Sequence, residues 1–336
     1  MNWSKGFSAK YYAGVVDAPS WRDISTLQIT GGSIKRSYSS ALKESADINC
    51  INYDTNEEKW IRIWLDAKQG ESSVHEPLFT GLAISPDKDR NGNLVSNKVE
   101  CYSVLKPAQD VYLLRGWYAP AGMSGASLAK QLLSVTPAPV YLADNSPSLQ
   151  QAIIAEENET HLSMAIKIVS AMNWRIRING LGEITICPMA TDISATFDHL
   201  ENDVIQTEIK ESYDWFSCPN VVRAVMDDIS AIARDDSMSS KLSTVNRGRE
   251  VWYIETDCDL NDGESIAEYS LRRLKELQQP ARTLSYDRRF FPQVTVSDII
   301  RLHYPKQQID GLFFVNEQSI ALGESARTSE EVMNYG

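Results

Sequence analysis

The sequence predicts a mainly β protein with some α structure (α+β): two β-barrel or sandwich modules flanking a small α/β module. Three observations lead there. Apolar residues recur with period two from Lys10 to Leu105, switch to helical spacing between Ser124 and Asn173, and return to alternation from Thr283 to Gly323.

In the first module about six short strands are expected, at Tyr12/Gly14/Val16, Leu27/Ile29, Ile48 to Ile51, Trp60/Arg62/Trp64, Leu78 to Ile84 and Val99 to Val104. Gly31-Gly32, Asp54 to Glu58, Gln69 to Glu76 and Asp87 to Asn93 read as the breaks between them. In the second, Ser124 to Ser134 and Thr160 to Asn173 space their apolar residues as helices, with Ser124 and Thr160 as N-caps. WRIRINGLGEITICP, Trp174 to Pro188, then reads as a hairpin across Asn179-Gly180-Leu181-Gly182. The third module offers strands at Ile205 to Lys210, Val221 to Met226 and Val251 to Thr256, a long polar surface loop from Asp227 to Arg249, and a helix from Glu264 to Gln279 stopped by Pro280. It closes with strands at Leu284 to Tyr286, Val294 to Val296, Ile299 to Tyr304, Leu312 to Asn316 and Ser319 to Leu322, with turns at Pro292, Ser297-Asp298 and Asp310-Gly311. The expected domains are therefore 1–108, 109–200 and 201–336, each long enough to bury a core.

The 336 residues carry 33 Lys and Arg against 45 Asp and Glu, a net charge of −12, without a basic block. Gripping nucleic acid by its backbone needs clustered cations to displace counterions, so stable nucleic-acid binding is disfavoured. The five cysteines are scattered without a CxxC pair, which fits reduced core thiols better than zinc or a disulfide framework. With no apolar leader at the N-terminus and no long apolar run, neither secretion nor membrane insertion is expected, and assembly in a cytoplasm follows.

Candidate chemistry is thin. Asp87-Lys88-Asp89-Arg90-Asn91-Gly92 begins like a calcium loop, but Lys98 stands where a bidentate Glu is needed, and Asn-Gly between alternating runs is more simply a hairpin turn. In Asp257 to Gly263 the glycine falls one residue late, although Glu268 is in place, and carboxylates ahead of a helix serve as caps. His75, His161, His199 and His303 lie far apart, so a metal site would require folding to bring them together. No GxSxG occurs, and Cys218 sits in a turn-like Ser217-Cys218-Pro219-Asn220. No catalytic, cofactor or metal residue is assigned, and no enzyme is expected. Eight tryptophans, four of them (Trp60, Trp64, Trp174, Trp252) in alternating strands, suit a core or an interface better than a sugar platform.

Trp3 to Tyr12 (WSKGFSAKYY), Trp21 to Ser25 (WRDIS) and Ile29 to Ile34 (ITGGSI) together resemble the start of tail or baseplate hub proteins of long-tailed phages and defective prophage particles. They are most similar to the XkdQ/YqbQ-type hub of Gram-positive hosts. The helix feeding the Trp174 hairpin and the stretch PQVTVSDIIRLHYP with IDGLFFVNEQSIALG extend the resemblance over nearly the whole chain. One departure is Ser297-Asp298, where such barrels usually carry Gly-Asp.

The resemblance implies a homotrimer with two tube-like barrels per chain, whose six similar surfaces adapt a hexameric tail tube to a threefold tip. It implies a place in the virion, at the tail tip or baseplate. Implied partners are tail tube or distal tail proteins, a tip or spike protein and a tape-measure protein, with DNA passing through an acidic channel without sticking. On this reading the interface strands are Ile29 to Ile34 and Phe313 to Asn316, with Ile29, Ile34, Phe313, Phe314 and Asn316 as candidate contacts. Two other readings compete. A carbohydrate-binding module would expose three or more tryptophans on one concave face, and a cell-wall hydrolase would need a separate domain where only a short polar tail follows Gly323.

Overall fold

Alternating patterns form strands because one face of each can then be buried, and this chain forms 22 of them among its described residues. The computed structural model describes residues 1–335 except 52, 54–56, 85–86, 92–93, 145, 201–203, 227, 257, 259, 262, 279–281 and 324–325. First come β1 (Ser8–Asp17), β2 (Arg22–Leu27), β3 (Ile29–Ser37), β4 (Glu44–Ile51), β5 (Lys59–Gln69), β6 (Ser72–Ala83), β7 (Asp87–Asn91), β8 (Leu94–Ser103) and a short helix α1 (Lys106–Asp110). The middle contributes β9 (Tyr118–Ala119), α2 (Gly125–Leu133), β10 (Val140–Leu142), β11 (Ile153–Ile154), α3 (His161–Ala171), β12 (Trp174–Ile178), β13 (Ile184–Pro188) and β14 (Ile193–Asp198). There follow β15 (Ile205–Tyr213), β16 (Val221–Met226), β17 (Ile229–Arg234), α4 (Thr244–Arg247), β18 (Trp252–Glu255) and α5 (Ile266–Leu277). The chain closes with β19 (Arg282–Arg288), β20 (Ile299–Tyr304), β21 (Ile309–Ala321) and β22 (Thr328–Asn334).

Two compact units result: Met1–Ile209 with Ser285–Gly336, and Lys210–Leu284. One sheet runs β15-β19-β22-β21-β3-β4-β8-β6-β5-β1-β2, with β20 on β21, β14 on β20 and β7 on β8. β3 and β21 pair antiparallel with Ile34 opposite Ile320, so the N-terminal and C-terminal β segments share one hydrogen-bonded sheet. Among the described residues the ladders trace an open path, without closing a barrel at either end. The fold is mainly β, α+β overall.

β5 shows how the core forms. Ile61, Ile63 and Leu65 are wholly buried in a cluster with Ile34, Ile48, Phe79 and Val99. The opposite face carries Trp60 and Arg62, which are also buried, Trp60 against the cluster formed by α2, α3, β12 and β13. Ser124 and Thr160 cap α2 and α3 as expected, Thr160 in a capping box with Ser163.

Several local readings change. Gly31-Gly32 is not a break: both residues pair within β3, just after a bulge between Ile29 and Gly31, and Gly32 (φ 143°) lies so close to β4 that a Cβ would meet Asp47 O at 2.1 Å. Asp87–Asn91 pairs with β8 as a hairpin, Asn91 opposite Leu94, while the expected turn residue Gly92 lies outside the described residues. So do Asp257, Asp259, Asp262 and Pro280. α5 is capped by Ser265 in a box with Glu268. The segment expected as a long loop contains β17 and α4, because Ile229, Ala231 and Ala233 alternate well enough to pair with β16.

Val294–Val296 is not a strand; its backbone turns toward Asp298, whose carboxylate accepts from Thr295 N at 3.0 Å. Asp310-Gly311 lies inside β21, and the reversal comes earlier, at a 3-10 turn Pro305–Gln307 ended by Gln308 at φ 58°. The two strands expected at Leu312–Asn316 and Ser319–Leu322 are one, bulged near Val315. β22 replaces the expected polar tail, with Thr328, Glu330 and Val332 pointing inward. β14, at the end of the second expected module, pairs in parallel with β20.

The smaller unit is a three-stranded sheet, β17-β16-β18, with α5 on one face through Val222, Ala233 and Leu274. Alternation turns Ile232, Arg223 and Ile254 to the other face, where they form a row across the three strands.

Candidate functional site

The β12–β13 hairpin is a joint between the β segments of the larger unit. Its turn is fixed by Gly182 N donating to Asn179 O (2.8 Å) and Glu183 N donating to the Asn179 side chain (3.0 Å). Gly180 lies against β6 so closely that a Cβ would fall 1.8 Å from Pro77 O, and Gly182 holds φ +74° beside Thr80 and Val104. Both glycines are therefore needed, one for clearance and one for a left-handed backbone.

Buried polar groups fasten the turn. Arg62 donates to Leu181 O (3.1 Å), Thr80 Oγ1 (3.0 Å) and Asp23 Oδ1 (2.7 Å), while Trp21 Nε1 donates to Leu181 O (2.9 Å) and Thr80 to Gly180 O (2.9 Å). A buried arginine is tolerated only with such a set of acceptors. On the strand itself, Arg175 donates to Ser297 Oγ (2.7 Å), and Arg175 and Arg177 lie 3.4 Å and 3.3 Å from the carboxylate of buried Asp298. Ser297 holds φ 67°, the left-handed region that the Gly of a Gly-Asp turn would take freely. Serine there adds an acceptor for Arg175. Residues 174–188 thus touch both β5–β6 and the turn before β20. The sequence shows the hairpin, but not that its arginines are spent inside the chain.

The candidate interface residues lie on β3 and β21, and of the five only Ile34 falls within the ladder that joins those strands. Ile29, Ile34 and Phe313 are at most 8% exposed and contact this chain's own core. Phe314 and Asn316 are half-buried: Phe314 packs edge-on against Tyr38 (4.9 Å), and Asn316 donates to Glu331 (2.9 Å). Ile34 meets the C-terminal segment through its partner Ile320, whereas Ile29 pairs with Cys50.

Of the histidines, His75 stacks on Trp64 (4.1 Å) with Nδ1 2.6 Å from Asp66, and His161 starts α3 with Nδ1 3.1 Å from Leu132 O. His199 and His303, 104 positions apart, come together because β14 pairs with β20. All five cysteines are free, and Cys50, Cys101 and Cys218 are buried. Trp3, Trp60 and Trp174 are buried, and only Trp215 (49%) and Trp252 (45%) are exposed, short of the three a sugar platform would need. Trp215 lines a cleft of about 550 Å³ in the smaller unit with Phe216, Lys241, Arg247 and Arg249. The Arg249 guanidinium lies over the Phe216 ring at 4.0 Å, and both arginines donate to Phe216 O. No helix among the described residues is long and apolar enough to cross a membrane.

No family model matches the chain, and no curated protein matches it by sequence. Solved structures do match. A tail protein from Neisseria meningitidis superposes with a TM-score of 0.68 at 12% identity, over 99% of this chain and 98% of that one. The fold is a phage tail-protein fold. The 43 kDa tail protein of prophage MuSo2 from Shewanella oneidensis shares it at TM-score 0.62 and 12% identity, over 98% and 97% of the two chains. So does an Escherichia coli component of the type VI secretion system described as similar to the T4 tail proteins gp27 and gp5, at TM-score 0.53 and 8% identity, over 92% and 74%. These structural neighbours are of the general class, tail proteins, to which the sequence resemblance pointed.

Proposed function

We propose that the chain is a structural, non-enzymatic hub of a phage or phage-derived tail, acting as a homotrimer. Segments 1–108 and 201–336 supply two tube-like β lobes per copy, and segment 109–200 lies outside them. Three copies then offer six related surfaces to a sixfold tube and one threefold surface to a tip, with the acidic chains lining a channel through which DNA slides.

The observation that carries this reading is the end-to-end match to the Neisseria tail protein, which leaves almost none of either chain outside the shared fold. The β3–β21 pairing supports it by holding the two β lobes in one sheet. The exposed row of Ile232 and Ile254, with Trp252 on the neighbouring position of β18, supplies apolar surface of the kind that assembly covers. Light scattering on the concentrated protein tests the reading. Three times the 37.7 kDa chain mass, or capture of tail-tube or tip components, supports it. A strict monomer that binds no tail component overturns it.

A further inference from the structure

We propose that Asp198, His199 and His303 bind a first-row transition-metal ion of the Zn²⁺ class. Parallel pairing of β14 with β20 sets Asp198 directly beside His303, and the strand end turns His199 onto the same place. The His199 amide donates to His303 O at 3.3 Å, and the two imidazole centroids lie 5.6 Å apart at an interplanar angle of 50°. One donor atom from each of the three side chains lies within 4.8 Å of the other two.

Two details favour an ion over a chance cluster. His199 Nδ1 lies 3.3 Å from His303 O and 3.7 Å from Asp198 Oδ1; in the tautomer that donates from Nδ1 to that carbonyl, the ring is held and Nε2 is left to bind an ion. His303 Nδ1 is buried yet forms no hydrogen bond within the chain, although Asp310 Oδ2 is 3.4 Å away across the β20–β21 pair. A buried imidazole nitrogen without a partner is costly unless something else engages the ring.

The donor set selects the ion. Two imidazoles and a carboxylate suit zinc and its neighbours, whereas calcium and magnesium prefer oxygen alone. Metal–donor bonds of about 2.0–2.2 Å place adjacent ligands about 3.3 Å apart, so groups now within 4.8 Å of one another need draw together by at most about 1.5 Å. The side chains of Asp198 and His199 are 20% and 26% exposed, and the Asp198 carboxylate also accepts from Leu200 N at 2.7 Å through Oδ1. Three protein ligands leave a fourth position for water. Asp310, opposite His303 on β21 with Oδ2 3.4 Å from Nδ1, is the carboxylate placed to accept from that nitrogen once an ion held at Nε2 fixes the ring. The proposal stands apart from the tail reading, since it uses only residues of one chain.

The test is titration of the full chain, stripped with chelator, by ZnCl₂ and separately by CoCl₂, followed by calorimetry and the visible d–d absorption of bound Co²⁺. One equivalent per chain, an intense low-symmetry Co²⁺ spectrum and a raised thermal midpoint with Zn²⁺ but not Mg²⁺ are expected. His199→Gln and His303→Gln should each weaken Zn²⁺ binding by more than about 100-fold, Asp310→Asn by about 10-fold, and His75→Gln not at all. Thermal midpoints in chelator show whether each variant is folded. No stoichiometric binding to the wild-type chain, or binding unchanged in folded His303→Gln, overturns the proposal.

Discussion

Among the described glycines, Gly180 has the least clearance. A Cβ there would overlap Pro77 O, a backbone atom that cannot rotate away, so Gly180→Ala should cost about 2 kcal/mol or more, read as a lowered thermal midpoint. Glu44 shows the opposite kind of constraint, in which charge rather than volume is unwelcome. Burial raises its carboxyl more than the Arg36 guanidinium, 3.4 Å away, lowers it, and the pKa reaches about 7. Its second oxygen, Oε1, is buried without a hydrogen bond. Because the folded pKa exceeds the unfolded value of about 4.3, the folded state holds its proton longer, and stability declines as pH rises from about 5 through 7. Unfolding free energies of wild type and Glu44→Gln, measured by denaturant titration across pH 5 to 8, should diverge by up to about 3 kcal/mol in this direction. Parallel curves would remove the idea. Neither property is legible in the sequence, where Gly180 is a turn glycine and Glu44 one acid among many.

Among the elements, β22 is the instructive case. Its sequence, TSEEVMN, reads as polar because the inward Glu330 interrupts the apolar alternation. The structure supplies the missing partner: Arg288 on β19, 1% exposed, makes a two-pronged ion pair with Glu330 at 2.8 and 2.9 Å, and Tyr286 and Gln318 donate to the same carboxylate at 2.7 and 2.6 Å. Burial raises the Glu330 carboxyl, but the Arg288 charge and these donors outweigh it and hold the pKa below the ordinary range. Glu330→Ala leaves a buried guanidinium uncompensated and should lose about 3–5 kcal/mol in a denaturant titration, whereas Arg288→Met with Glu330→Leu should recover most of the loss. If both variants lose the same stability, the pair matters for packing alone. The hairpin WRIRINGLGEITICP, in contrast, could be read directly, since the alternation and Asn-Gly turn that make it are local. What its arginines and glycines touch is not local, because those partners lie about 100 residues away along the chain.

For the whole molecule, the row Ile232–Arg223–Ile254 decides whether the exposed sheet face serves assembly. Both isoleucines are more than half exposed, so Ile232→Asp with Ile254→Asp should alter the thermal midpoint little, by about 1 kcal/mol per site. Scattering mass or capture of tail components should fall if this face is an interface, and an unchanged assembly would assign the contacts elsewhere. The sequence by itself determined the mainly β class, the helix–helix–hairpin insert and the resemblance to tail hubs, because periodicity and turn chemistry act between residues a few positions apart. Only the tertiary structure decided that β3 and β21 join the two ends in one sheet, that Ile29, Ile34 and Phe313 belong to the chain's own core, and that His199 meets His303. Those outcomes depend on strand register between distant segments, where a shift of one residue turns every side chain to the opposite face.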